Sequence, residues 1–364
     1  MFSGAGGMDL GFLLAGHEIV WANDFDASAR DTYTMNITKY DDHPYILGDI
    51  VEYLNTTDSN INKLIPDGEV LIGGFPCQGF SVVNIKRNME DERNHLYLQI
   101  LKVLRIKKPK FFVLENVKGL ENMEKGKILD MIINDLKQPD NNLRYKVRYN
   151  ILNALHYGVP QNRERIIIFG VREDVDYKIP EVISDLSNPL KTLYVKPTHS
   201  KDSTNIESIS AHKKIELLYN NWIRGNTSKK IDFESNKIFR YQTLKDTISD
   251  LPSNFDGDYS IKNHSGSLSK TIAKDSPRSN YVGNRPTDWD SYAPTMMGRG
   301  GGTGGPLIPP HPDHKRRLSV RETARIQSFP DNFIFSGSNS AAYRQTGNAV
   351  PVLMAYNIAK ILPT

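Results

Sequence analysis

The sequence has one cysteine in 364 residues. It can form no internal disulfide, and a lone thiol suits a reducing cytosol, so a cytoplasmic protein is expected. No apolar run approaches the ~18 residues needed to span a bilayer, and the amino terminus shows no signal-peptide pattern. Membrane proteins and disulfide-stapled secreted domains are set aside on these grounds. Strong charge of one sign is missing too: the net charge is only +4. The excess falls late, with eight Lys+Arg against three Asp+Glu between Ala293 and Thr364. Such a surplus hints at a polyanion partner, or is a solvated basic face. The length exceeds one small core and points to two domains.

The single thiol stands in Gly73-Gly74-Phe75-Pro76-Cys77-Gln78-Gly79-Phe80-Ser81. Glu69-Val70-Leu71-Ile72 before it reads as a buried strand. The glycines permit a sharp turn and Pro76 stiffens it. Open α/β sheets place ligands at such strand ends. A buried structural cysteine is the alternative.

Other strand ends carry chemistry as well. Phe2-Ser3-Gly4-Ala5-Gly6-Gly7 runs into an apolar helix start, where backbone N–H groups can approach a nucleotide-like ligand; a plain tight turn looks the same. Almost no strand precedes this loop, which gives the expectation that the natural protein begins upstream of Met1, since a doubly wound sheet needs that strand at its centre. Glu18 to Ala22 reads as a strand closing on Asp24 and Phe25. Asp24 suits ribose hydroxyls, or caps the helix from Ala27 to Met35, and Phe25 suits stacking on adenine. Asp49, beside Ile50, follows a third strand, Tyr45-Ile46-Leu47, and suits an adenine amino group or a simple turn. Lys110 to Leu114 is a buried strand ending in Glu115-Asn116-Val117, where a desolvated carboxyl can carry a proton near neutral pH. Gln161-Asn162-Arg163-Glu164-Arg165 alternates, placing both arginines on one face of an extended segment. Their partners are a phosphate, a base carbonyl, or surface glutamates. Strands and helices alternate to about residue 175, which predicts a mostly parallel, doubly wound α/β sheet. Asp176 to Tyr292 is irregular but rich in aromatics, and reads as a second, smaller domain. A glycine run around Arg299 follows. Ser319 and Glu322 have capping-box spacing, and Gly347-Asn348-Ala349-Val350-Pro351 precedes a last apolar helix.

Taken together and in this order, the Phe2–Gly7 loop, Pro76-Cys77-Gln78, Glu115-Asn116-Val117, Gln161 to Arg165, Arg321 to Pro330 and Gly347 to Pro351 resemble the bacterial DNA (cytosine-5)-methyltransferases. The similarity covers the chain apart from about 180 to 290. It implies S-adenosylmethionine as methyl donor with no metal, duplex DNA as substrate and a monomer, and it leaves room for a cognate restriction endonuclease acting on the same site. It implies a catalytic domain over 1–178, target recognition over 179–310, a small-domain and hinge segment over 311–345, and a final segment, 346–364, returning to the catalytic domain. Catalytic roles are implied for Cys77, Glu115, Arg163 and Arg165. Cofactor contacts are implied for Phe2, Gly4, Gly6, Gly7, Asp24, Phe25, Asp49, Ile50, Pro76, Asn348 and Val350. DNA contacts are implied for Gln78, Ser81, Thr295 and Arg299.

The chemistry asks for the same residue types. Carbon-5 of cytosine is a poor nucleophile until a thiolate adds at carbon-6. A proton donor near ring nitrogen-3 and a guanidinium then stabilise the charge that builds up. The base must leave the duplex to be reached. Three rivals compete: an RNA methyltransferase of the same fold, a non-catalytic DNA-binding protein, and a nicotinamide oxidoreductase. The last leaves Cys77, Glu115 and the carboxyl-terminal motifs without a role.

Overall fold

A computed structural model describes residues 1–76, 95–180, 195, 198–206, 209–225, 237–253, 261–265, 286–298, 308–314 and 316–363. The segment that organises it is β4 (Phe111–Val117), whose apolar run is buried along nearly its whole length. Phe111 and Val113 face one core, and Phe112 and Leu114 face another. A strand buried on both faces has no polar positions to alternate with, hence the continuous run. β4 pairs in parallel with β3 (Val70–Gly73). On its other side it pairs antiparallel with β7 (Glu164–Arg172), which also pairs antiparallel with β5 (Tyr145–Asn153). In the four-stranded sheet β3-β4-β7-β5, β3, β4 and β5 therefore run in one direction and β7 alone runs against them, an exception the alternation did not suggest. The reason lies in the link from β5 to β7, a short 3-10 turn (Ala154–Tyr157) followed by β6 (Gln161–Asn162). That is too little chain for the helical crossover a parallel pair requires.

Helices cover both faces. On one side lie α3 (Ile50–Tyr53), α4 (Asp58–Leu64), α5 (His95–Lys107) and α6 (Lys127–Lys137). In α6, Ile128, Leu129, Ile132, Ile133 and Leu136 are buried at helical spacing. On the other side α1 (Gly7–Leu14) packs against the chain's last helix, α11 (Val352–Ala359). A Cβ on Gly11 would stand 2.4 Å from that of Ala355 and 2.7 Å from the Tyr356 nitrogen, so only glycine allows this approach.

β1 (Ala22–Asp24) and β2 (Tyr45–Leu47) form a separate parallel pair; β1 begins where the strand read from sequence was to end. Residues 1–3 lie between this pair and β3. The Met1 ammonium donates to the Ile72 carbonyl at 2.8 Å, and Ser3 N–H donates to the Asn23 carbonyl at 2.9 Å. Phe2 makes the crossing with a left-handed φ of 57°. α2 (Ala27–Tyr33) is capped by Asp26, whose side chain accepts from Ser28 and Ala29, and not by Asp24.

The later part of the chain holds β8 (His199–Ser200), α7 (Ala211–Trp222), β9 (Phe239–Arg240), α8 (Leu244–Ile248), β10 (Ala293–Pro294), α9 (Val320–Ile326) and α10 (Asn339–Asn348). Ser319 and Glu322 form the capping box their spacing predicts. Among the described cations of this stretch, Arg316, Arg317, Arg321 and Arg325 are buried, while Arg344 and Lys360 are exposed. Arg316 holds Glu322 with two bonds of 2.7 and 2.6 Å. Arg321, fully buried, donates to the carbonyls of Lys262, Pro330 and Phe333. Arg325 grips Asp331 and Asp250. These three buried cations fasten loops to α9. Among the described residues no helix is long and apolar enough to cross a membrane.

The α1–α11 contact is testable. Gly11→Val should lower stability by about 1–3 kcal/mol through overpacking, read as a lower melting temperature; an unchanged melt would contradict the packing.

Candidate active site

The ends of β1, β3 and β4, the glycine loop and the Gly347–Val350 turn surround a cavity of about 840 Å³. That volume is within the range of small-molecule sites. Each wall can be traced to a local cause.

The first wall is the glycine loop. Asp24, at the end of β1, accepts from Gly4 N–H at 2.9 Å and Asp26 N–H at 3.0 Å, and the Tyr45 hydroxyl donates to the Gly4 carbonyl. Burial raises the Asp24 carboxyl pKa, and these backbone donors oppose the rise. Phe25 next to it is 78% exposed, a flat apolar face left free for a planar ring. Asp49 caps α3 by accepting from Val51 N–H at 2.8 Å and Ile50 is buried; both residues line the cavity. Gly6 has φ 89°, and a Cβ on Gly7 would lie 2.5 Å from the Val350 carbonyl. The loop glycines thus permit both the turn and the close contact with the carboxyl-terminal motif.

The second wall carries a buried ion pair. Glu115 and Arg165 lie diagonally across the β4–β7 ladder, where Glu115 faces Ile167 and Val117 faces Arg165. They form an ion pair, Nε to Oε1, at 2.8 Å with only 11% of each side chain exposed. A Cβ on Gly74 would lie 3.1 Å from Glu115 Oε2, so the turn after β3 passes close over this carboxylate. Asn116 donates to the Phe75 carbonyl at 2.9 Å and pins that turn one residue before Pro76. Cys77, Gln78, Ser81 and Arg299 lie outside the described residues; the turn leading to the thiol is described as far as Pro76.

The third wall is a crossing of distant segments. Arg163 lines the cavity beside Arg165, but its donors go elsewhere: to the carbonyls of Met296 at 2.9 Å, Gly347 at 2.9 Å and Ala349 at 3.0 Å. Burial, with Arg165 nearby, pushes its pKa well below the usual guanidinium range. So Arg163 holds the cavity's frame, and Arg165 is the arginine paired with the Glu115 carboxylate. Gln327, fully buried, donates to the Thr346 and Ala349 carbonyls and accepts from Gln161. Asn348 and Val350 follow from this bracing and both line the cavity. Thr295 is half-buried and donates to the Asn162 carbonyl at 2.6 Å.

Over residues 1–363 the chain matches the model of the C-5 cytosine-specific DNA methylases. The chain belongs to that family. It is 35% identical to the type II methyltransferase M.NgoFVII of Neisseria gonorrhoeae, over all of this chain and 85% of that protein. It is 32% identical to the type II methyltransferase M.BsuRI of Bacillus subtilis, over 99% of this chain and 77% of that one. In fold it resembles the S. pombe Dnmt2 methyltransferase, with a TM-score of 0.57 at 18% identity, covering 98% of this chain and 95% of the other. As a C-5 cytosine-specific DNA methylase, the chain is a DNA (cytosine-5)-methyltransferase.

Sequence reasoning missed two contacts here. One is Asn116, whose side-chain amide beside a strand-end glutamate was a signal of turn bracing. The other is Arg344, which reaches Asp26 at 2.7 Å across 318 residues and has no local signature. For this DNA methylase the first contact gives an expected outcome. Asn116→Ala should lower kcat by ~10–100-fold, because reacting groups displaced by about 1 Å lose that much, while cofactor affinity changes far less. Wild-type turnover in the variant would show that the Phe75 bond does not position the turn.

Proposed function

We propose that this chain is the modification enzyme of a type II restriction–modification system, methylating carbon-5 of one cytosine in a short duplex sequence through a Cys77 adduct. What carries the proposal is the pairing of Glu115 with Arg165 at 2.8 Å beside the pinned turn that leads to Cys77. The full-length likeness to proteins named as type II methyltransferases supports the biological setting.

The residues around the first wall fit S-adenosylmethionine. Asp24 has lone pairs left for ribose hydroxyls after accepting two backbone donors, Phe25 offers a ring face to adenine, and Asp49 offers a carboxylate to its amino group. Phe2, Gly4, Gly6, Gly7, Pro76, Asn348 and Val350 would complete the enclosure. When bound, the cofactor supplies an activated methyl group. The protein's own residues do the rest. The Cys77 thiolate adds to carbon-6 of the flipped cytosine, and the ring's electrons shift toward nitrogen-3. Glu115 delivers a proton there, and Arg165 stabilises the charge that develops alongside. Carbon-5 then carries an electron pair, and it would take the methyl group from the donor, whose carbon–sulfur bond would break to leave the neutral thioether. Loss of the carbon-5 proton expels Cys77, the nitrogen-3 proton returns to Glu115, and the aromatic ring is restored. We assign Arg163 a positioning role, since its donors hold backbone carbonyls. Thr295 and the residues outside the described set, Gln78, Ser81 and Arg299, are read as DNA contacts, and 179–310 as the segment that reads the base edges.

Cys77→Ala should abolish methyl transfer while leaving DNA and cofactor binding nearly unchanged. Duplex DNA with 5-fluorocytosine at the target should trap the wild type covalently, because carbon-5 then has no proton to lose. Trapping by the Ala variant would overturn the role of Cys77. A second outcome concerns sequence choice: exchanging 179–310 for the matching segment of a relative should move the methylated sequence with the segment, since base-edge contacts specify and phosphate contacts only position. Site choice that stays with the catalytic part would contradict it.

A further inference from the structure

Asp9 has no part in the chemistry above. It sits in the first turn of α1, just after the glycine loop, and lines the same cavity as Asp24 and Glu115. The residue is 3% exposed and its Oδ2 has no hydrogen-bond partner. Withdrawing a carboxylate from water is costly unless a cation or donor meets it. Burial raises its pKa; the amino-terminal ammonium and the Ser3 and Tyr33 hydroxyls oppose the rise. None of these closes the account of Oδ2. The Met1 ammonium is bonded to the Ile72 carbonyl, and the Tyr33 hydroxyl lies 2.9 Å from His43 Nε2. His43 in turn lies 3.3 Å from Asp41. Among the described residues no lysine or arginine is ion-paired with Asp9.

The cavity has chemically distinct parts. Asp24, Phe25 and Asp49 suit a nucleoside, and Pro76, Glu115 and Arg165 surround the reacting centre. The part at the amino end of α1, with Asp9 inside it, matches the remaining piece of an adenosyl amino acid. That piece is a zwitterion. Its carboxylate is favoured by the positive end of α1, and its ammonium needs a buried anion. We infer that Asp9 is the counter-ion for the α-ammonium of the bound methyl donor and of its product, an assignment that rests on reading this cavity as the cofactor site. Asp9 would then set affinity for the amino-acid part, separately from the adenosine contacts.

Calorimetric titration of the full chain, without DNA, tests this. The probes are S-adenosylhomocysteine, its deamino analogue with hydrogen in place of the ammonium, and 5′-methylthioadenosine. S-adenosylhomocysteine has no sulfonium, so an effect on it isolates the ammonium. The wild type should bind it ~10–100-fold more tightly than the deamino analogue, the range for a charge-assisted contact. Asp9→Asn and Asp9→Ser should lose that preference while binding 5′-methylthioadenosine as the wild type does, which also shows that the variants are folded. Equal affinity of the wild type for the first two probes would overturn the inference, even if neither variant folds. So would a loss in the variants that falls alike on all three probes, the mark of a merely structural residue. Wild-type protein that binds none of the probes would overturn the cofactor reading itself, and this inference with it.

Discussion

A guanidinium with almost no access to water holds this molecule's cavity together. Arg163 reaches the carbonyls of Met296, Gly347 and Ala349, residues 133 to 186 positions away in the chain. Each carbonyl, if abandoned in the interior, would cost about 1–3 kcal/mol. The bracing forces backbones together: a Cβ on Gly347 would stand 2.5 Å from Gly298 N, and one on Gly298 would stand 1.9 Å from Asn348 Oδ1. Gln327 and Gln161 reinforce the same crossing. With that crossing fixed, Asn348 and Val350 meet the glycine loop, and the two ends of the chain close one cavity.

Charge is used in two ways. In the carboxyl-terminal part, arginines act as internal staples: Arg321 is held by burial at a pKa of about 10 and still bonds three carbonyls. At the cavity the same residue type has an acidic partner, since Arg165 meets Glu115 at 2.8 Å. Counting cations along the sequence cannot separate these uses, because both need arginine's planar set of donors.

What the sequence made legible was what is locally determined. The apolar run of Phe111 to Leu114 and the Ser319–Glu322 cap are each fixed by residues within a turn or two, and both appear in the structure. The ordered motifs also pointed to the family to which the chain belongs. Less was legible where two like residues lie close together. Asp24 and Asp26 are equally good caps on paper, and geometry gives the cap to Asp26 and the loop bond to Asp24. Alternation set Arg163 and Arg165 side by side but could not say which would find carbonyls 133 or more residues away. The antiparallel run of β7 was missed because the alternation of elements was weighed above the shortness of one link.

The central claim is that the cavity's chemistry ends at carbon-5 of cytosine in DNA. It is tested most directly by incubating the purified chain with labelled S-adenosylmethionine and mixed duplex DNA, digesting to nucleosides, and separating the labelled products by mass-resolved chromatography. The label should appear in 5-methyldeoxycytidine, and bisulfite sequencing of the same DNA should place it within one short sequence. Label in N4-methyldeoxycytidine or N6-methyldeoxyadenosine, or transfer to RNA with none to DNA, would contradict the account.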